Sequence, residues 1–312
     1  ANRDFLDWNG DHLHTNFRGL HSKLLEDGYY IDILGEDFTC FDAREYGTLM
    51  IVDSEENFRP EEIAKLERDV REEGLSVLVV AEWYNPEVML KIKFFDDNTQ
   101  LWWSPSTGGG NVPALNSLLS PYGIQFGDGI YKGDWKFGSH HASIKSSTSI
   151  ARFPLGGALY RTQLSDEAAG TLHGKGGVAE VAVAGLWSAD GIIDVKRPTA
   201  GRIGVFTDSS CVDNKEDDMS CWWVLSSMLK YTMWGARAPP FDGTGDALIA
   251  PYMQPGVNLP VLDRKFEFHT ISKAEGEKEE CRVLQPLAQG PLVPSTASSL
   301  WSSLSLGKGG AP

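Results

Sequence analysis

The sequence predicts a doubly wound α/β domain built on a mostly parallel sheet. Three observations predict it. Apolar, strand-like runs recur at TLMIVD (48–53), LSVLVVAEWYN (75–85) and RIGVFTD (202–208). Helix-patterned stretches alternate with the early runs, as in βαβ units. The runs are continuous rather than alternating, which suits strands covered on both faces.

The elements follow in order. TNFRGLHSKLLED (15–27) sets Phe17, Leu20 and Leu24 at helical spacing, and Gly28 is a natural stop. YYIDIL (29–34) reads as a strand and TLMIVD as the next. RPEEIAKLERDVREEG predicts a helix: Pro60 suits its first turn, Glu61 and Glu62 its positive end, and Gly74 its stop. After the LSVLVV strand, PEVMLKIKFF (86–95) predicts another helix. Residues 1–121 thus form the first part of the domain. From 122 to 200, Gly-rich turns separate GIYKGDWKF, SIARF, ALYRTQL and VAEVAVAGLW, which predicts an antiparallel β-rich insertion. Residues 201–235 supply the last parallel strand and a closing helix, CWWVLSSMLKYTMW. Pro, Gly and Ser dominate 236–312, an irregular tail expected to lie over the surface or to be partly mobile. It holds one predicted strand, KFEFHTI (265–271). A βα domain normally begins with a strand near the middle of its sheet. This chain opens on a loop and a helix, so its first strand is expected from a longer polypeptide or from another chain.

The net charge is -15, with 43 acidic and 28 basic side chains, a field that repels nucleic-acid phosphates. No apolar run approaches the roughly 18 residues of a membrane span. The four cysteines include no CxxC pair, and no histidine stands at zinc-finger spacing. No metal or cofactor is expected.

Ligands of open α/β sheets bind beyond the carboxyl ends of the strands. Asp53, Glu82, Trp83, Asp208 and Ser209 stand there. The acids would hold a cation, a sugar or a basic group if they converge; the plainer reading is that they cap loops and helix starts. A covalent enzyme of this type needs a nucleophile on a tight elbow. Ala81-Glu82-Trp83-Tyr84 offers neither Cys nor Ser, and its aromatic residues are too bulky for the turn. Ser209 and Asp208 with His140 or His141 make a triad only by composition, since triads are recognised by geometry. Asp213, Asp217 and Asp218 suggest calcium, but Lys215 breaks the ligand pattern. Trp102 and Trp103 precede a Gly-rich turn and would stack on a sugar, clamp another domain or pack in the core.

In an oxidising compartment Cys211 and Cys221 would clasp an acidic loop, and Cys40 with Cys281 would pin the tail. In the cytosol all four would be thiols.

LDWNGDHLHTNFRGL, FTCFDAREYGTLMIVDSEENF, FFDDNTQLWWSPSTGGGNVPALNSLL and FTDSSCVDNKEDDMSCWWVL resemble the membrane-bound transcription factor site-1 protease family. These are subtilisin/kexin-type serine endopeptidases of the Golgi. The resemblance covers residues 6–234, in order, with short pieces such as SSLWSSLSL beyond. It concerns the region that follows the catalytic domain, so no catalytic residue carries over. It implies lumenal disulfides at Cys40 and at Cys211 with Cys221. It also implies a glutamine-amidotransferase-like fold without a nucleophile, whose first strand lies before LDWNGD.

The expected function is therefore a non-catalytic, lumenal region of such a protease, membrane-anchored in the full-length protein. It would support the upstream protease domain and dock protein substrates or a partner. The rival expectation is an independent α/β domain that binds a small molecule or sugar in the strand-end crevice.

Overall fold

The computed structural model of the chain describes residues 12–92, 94–103, 109–191, 200–213, 219–235, 237–243 and 246–261. Helix α1 (Arg18–Glu26) buries Leu20 and Leu24, one turn apart on the same face. Strand β1 (Thr48–Val52), helix α2 (Pro60–Arg68) and strand β2 (Ser76–Val80) follow. Pro60 opens α2 as its fixed φ predicts, and Gly74 ends the helical stretch at φ 76°. Next come α3 (Pro86–Met89), β3 (Phe94–Asp96), β4 (Leu101–Trp103) and α4 (Val112–Leu119). The β-rich part holds β5 (Gln125–Phe126), β6 (Tyr131–Phe137), β7 (His140–Ser147), β8 (Ile150–Phe153), β9 (Ala158–Asp166), α5 (Glu167–His173) and β10 (Val178–Ser188). The chain then runs through β11 (Arg202–Phe206), α6 (Trp222–Trp234), β12 (Asp246–Ala247) and β13 (Tyr252–Met253).

One sheet dominates, in the order β1-β2-β11-β10-β9-β6-β7, with β12 on β9. β2 pairs in parallel with β1 and β11; Leu78 stands opposite Met50 and Gly204. Beyond β11 every pairing in this sheet is antiparallel. The sheet expected to be mostly parallel is therefore parallel over three strands and antiparallel beyond them. The β-rich segment is antiparallel, as its short pieces and Gly-rich turns predict, and four of its strands extend the same sheet. Smaller sheets are β13-β8-β5 and the β3-β4 hairpin.

The continuous apolar texture of β2 has a direct cause. All five of its residues are buried. Leu78 and Val80 pack with Leu20 and Leu24 of α1 and with Leu225 and Met228 of α6. Val77 and Val79 pack on the opposite face with Leu66 of α2 and Leu115 of α4. A strand covered on both sides cannot alternate polar and apolar residues.

Three expectations need correction. Residues 29–34 (YYIDIL) form no strand, and Tyr30, Ile33 and Leu34 are exposed. A strand is stable only when its backbone is paired, and these residues have no strand beside them among the described residues. The segment is held instead by side chains: Tyr29 stacks on Trp234, and Tyr46 Oη donates to Asp32 at 2.8 Å. The helix expected over 86–95 stops after one turn, and β3 begins at Phe94. A tight turn competes with it, since Asp96 accepts from the N–H groups of Asn98 and Thr99 at 3.1 and 3.0 Å. The tail is not confined to the surface: Phe241 is fully buried against Tyr160, with ring centroids 4.4 Å apart. Asn116 Nδ2 also donates to Pro260 O at 3.0 Å. The strand expected at 265–271 lies outside the described residues.

Candidate functional site

β1, β2 and β11 are parallel, so their carboxyl ends open on one side. Asp53, Glu82 and Asp208 follow those ends. The backbone stays stitched there: Asp53 N donates to Val80 O at 3.0 Å, and Ala81 N to Phe206 O at 2.8 Å.

Glu82 and Asp208 are buried together. Ser146 Oγ donates to Glu82 Oε1 at 2.5 Å. Glu82 Oε2 accepts from Ser209 N at 3.1 Å, Ser209 Oγ at 2.8 Å and Ser210 N at 3.0 Å. Asp208 Oδ2 accepts from Lys145 N at 2.7 Å, and Asp208 Oδ1 from Ser210 N at 3.1 Å and from Ser210 Oγ. Burial pushes the Glu82 carboxyl well above its ordinary range, and the Asp208 charge adds to this. Hydrogen bonds from Ser146, Ser209 and Ser210 pull it partly back. Burial likewise raises Asp208, against hydrogen bonds from Ser210, Lys145 and Glu82. Each is the response of a carboxyl taken out of water.

The crevice above these acids is filled by the chain itself. Gly109 N donates to Trp83 O and Asn111 N to Ser54 O, both at 3.0 Å. A Cβ on Gly109 would stand 2.3 Å from Glu82 Cγ, and one on Gly110 would stand 3.1 Å from Asp53 Oδ1. Glycine is required because the turn lies directly on the strand ends. Asn111 caps α4 by accepting from Ala114 N at 3.2 Å. The Gly-rich turn thus works as a plug. Two shallow depressions elsewhere do not reach Glu82 or Asp208. One is lined by Arg161 and residues 247–252, the other by residues such as Ile63, Asn116 and Pro260.

Of the residues singled out in the sequence, Asp53, Glu82, Trp83, Asp208 and Ser209 gather at the strand ends. Trp83 packs against two core clusters. Trp102 and Trp103 lie apart, on the β3-β4 hairpin. Trp103 Nε1 donates to Thr99 Oγ1 at 2.9 Å, while Trp102 is 67% exposed. No triad forms among the described residues. The Ser209 and Ser210 hydroxyls are given to Glu82 and Asp208. His141 pairs with Asp134 at 2.9 Å, and His140 lies on Trp223. No group of three or more metal-ligating side chains occurs among the described residues.

Cys211 and Cys221 form a disulfide with a Cα–Cα distance of 5.8 Å. It joins the turn Ser210–Val212, directly after β11, to the N-cap of α6. Cys40 is also disulfide-bonded. Cys281 lies outside the described residues, as do Lys215, Asp217 and Asp218.

Ser146, Lys145, Ser210 and Gly109 were not singled out as site residues. Ser146 stands 64 positions from Glu82 and Ser209 stands 127 from it. No local spacing marks such partners.

The chain that forms this arrangement matches a known family. The family described as MBTPS1, fourth GATase-like domain, matches residues 1–243. The chain belongs to this family. It is similar to the membrane-bound transcription factor site-1 protease of Rattus norvegicus, 40% identical over 307 residues, which are 96% of this chain and 28% of that protein. The Homo sapiens protein of the same name is 39% identical over the same span. The subtilisin-like protease SBT6.1 of Arabidopsis thaliana is 40% identical over 279 residues, 89% of this chain and 26% of that protein. The chain thus spans about a quarter of the length of these relatives. Among solved structures, the mmIFT52 N-terminal domain aligns with a TM-score of 0.43 and 12% identity, over 72% of this chain and 95% of that chain. Within the described residues of this fourth GATase-like domain, no helix is long and apolar enough to cross a membrane.

Proposed function

We propose that the chain is a non-catalytic, lumenal region of a membrane-anchored, site-1-protease-like serine endopeptidase that cleaves membrane-bound transcription factor precursors. Its role is to support the subtilisin-like protease domain and to dock a protein substrate or partner. One observation carries this reading. The crevice where α/β enzymes hold ligands is filled by the chain's own acids, serines and glycine turn, while apolar surface stands open elsewhere. The disulfide Cys211–Cys221 supports an oxidising compartment such as the endoplasmic reticulum or Golgi lumen.

The docking surface is the β3-β4 hairpin with its approach. Leu90, Ile92, Phe95, Leu101 and Trp102 are all exposed, and Phe95 and Trp102 meet edge to face at 5.5 Å. Clustered exposed apolar side chains mark interaction sites. The test is the double substitution Phe95→Ser with Trp102→Ser in the full-length protease. The isolated chain should keep its unfolding midpoint, while precursor cleavage or secretion falls at least fivefold. Unchanged cleavage and secretion would remove the hairpin from the proposal.

The sheet is also open at β1, which pairs only with β2 among the described residues. Helix α1 leads into residues 29–34, so a strand before α1 would complete a βα unit and pair with the open edge of β1. This supports a strand supplied by the same polypeptide. Amides of Thr48–Val52 should then exchange at least tenfold more slowly in the full-length protein than in the isolated chain. Equal rates would count against it.

A further inference from the structure

Two buried carboxyls lie at the strand ends and belong to no catalytic machinery. Glu82 and Asp208 are 5% and 0% exposed, and both accept from the Ser210 N–H, at 3.0 and 3.1 Å, in a site closed by Gly109 and Gly110. Together they tie three places far apart in sequence: the end of β2, the end of β7 and the turn after β11. We infer that the Glu82–Asp208 pair is a proton-held clasp, closed while the two carboxyls share one proton and loosened when that proton is lost.

The argument is one of donors and charges. The hydroxyls of Ser146, Ser209 and Ser210 and the N–H groups of Lys145, Ser209 and Ser210 all point at the pair. These are neutral donors, enough to hold one negative charge in a dry site. Two carboxylates that share the Ser210 N–H cannot both ionise there without strong repulsion. β7 contributes the Lys145 backbone and the Ser146 hydroxyl, and β11 runs directly into Asp208. The end of β1 brings Asp53, across Gly110 from Glu82, and a further carboxylate favours keeping the proton. Neither Glu82 nor Asp208 is ion-paired with a cation among the described residues.

The sign follows from linkage. The folded chain keeps a proton that the unfolded chain releases near the ordinary carboxylate range. Raising the pH from that range therefore favours unfolding, until the folded pair itself loses its proton. Other shifted groups act outside this window. Asp42 is held near 2 by Arg44, so its contribution is lost only in strong acid. The raised phenols of Tyr29 and Tyr46, near 12, act only in strong base. The clasp is thus tight in acid and slackens as the pH rises, and it would let this region respond to the falling pH of a secretory route.

The test uses the chain itself. Its unfolding midpoint is measured from pH 5 to pH 8, with amide exchange of Lys145, Ser209 and Ser210 corrected for intrinsic rates. Two variants accompany it: Glu82→Gln, which keeps a carbonyl acceptor and donates an N–H to Asp208, and Asp208→Asn. The wild-type midpoint should fall by roughly 5 °C over this range, with exchange at the three amides rising at least tenfold. Glu82→Gln should lose that fall and match or exceed the wild type at pH 8. Asp208→Asn should also lose the pH dependence, whatever its absolute stability. A wild-type midpoint that is flat or rises with pH would overturn the inference. So would a Glu82→Gln variant that keeps the wild-type slope. If neither variant folds, the wild-type exchange at the three amides decides: a rise with pH supports the clasp and constancy overturns it.

Discussion

Trp135→Ala is expected to cost about 3–5 kcal/mol of stability, the range for deleting a large buried aromatic side chain. The indole is fully buried on β6. Its ring lies 5.1 Å from Trp223 of α6, 5.7 Å from Phe137, 6.3 Å from Phe206 at the end of β11 and 6.3 Å from Phe241 of the tail. It therefore joins the antiparallel strands, the last parallel strand, the closing helix and the tail at one point. The surrounding rings belong to four different elements and cannot collapse into the space together. Thermal unfolding should show a midpoint lower by on the order of 10 °C. A loss below about 1 kcal/mol would mean that the cluster repacks freely.

The second large effect concerns the disulfide. Replacing Cys211 and Cys221 together by alanine should cost about 3 kcal/mol, the chain-entropy value for a loop of this length. Both cysteines are fully buried. The bridge holds the turn that carries Ser209 and Ser210, the residues that hydrogen-bond Glu82 and Asp208. Its removal should therefore also speed amide exchange at Ser209 and Ser210. Chemical denaturation of the oxidised wild type and the double variant measures the first effect, and exchange measures the second. Equal stability of the two proteins would show that the loop is already ordered in the unfolded chain.

Much of the architecture was legible in the residues. β2 announced itself because a strand buried on both faces is a near-continuous apolar run, here residues 77–80. α2 did so through Pro60, its acidic first turn and Gly74. The absence of a nucleophile elbow was equally plain, since Trp83 and Tyr84 stand where small residues are needed. Residues 29–34 misled because local β propensity is only half of a strand; the other half is a paired neighbour. The stretch 86–95 misled because its apolar pattern suits a helix, while an aspartate turn at Asp96 favoured a hairpin.

By itself the sequence determined the element types with strong local signals, the bulky Trp83 and Tyr84 where a nucleophile elbow needs small residues, and the membership in a protease-associated family that long motifs carry. It placed Asp53, Glu82 and Asp208 at strand ends because parallel strands share one direction. Only the tertiary structure decided that two of those acids share one backbone donor, that a glycine turn closes over them, and that serines distant in the chain complete their hydrogen bonds. The physical reason is range. Propensity and periodicity act over a few residues, whereas a buried carboxyl is satisfied by whichever donors the fold brings to it.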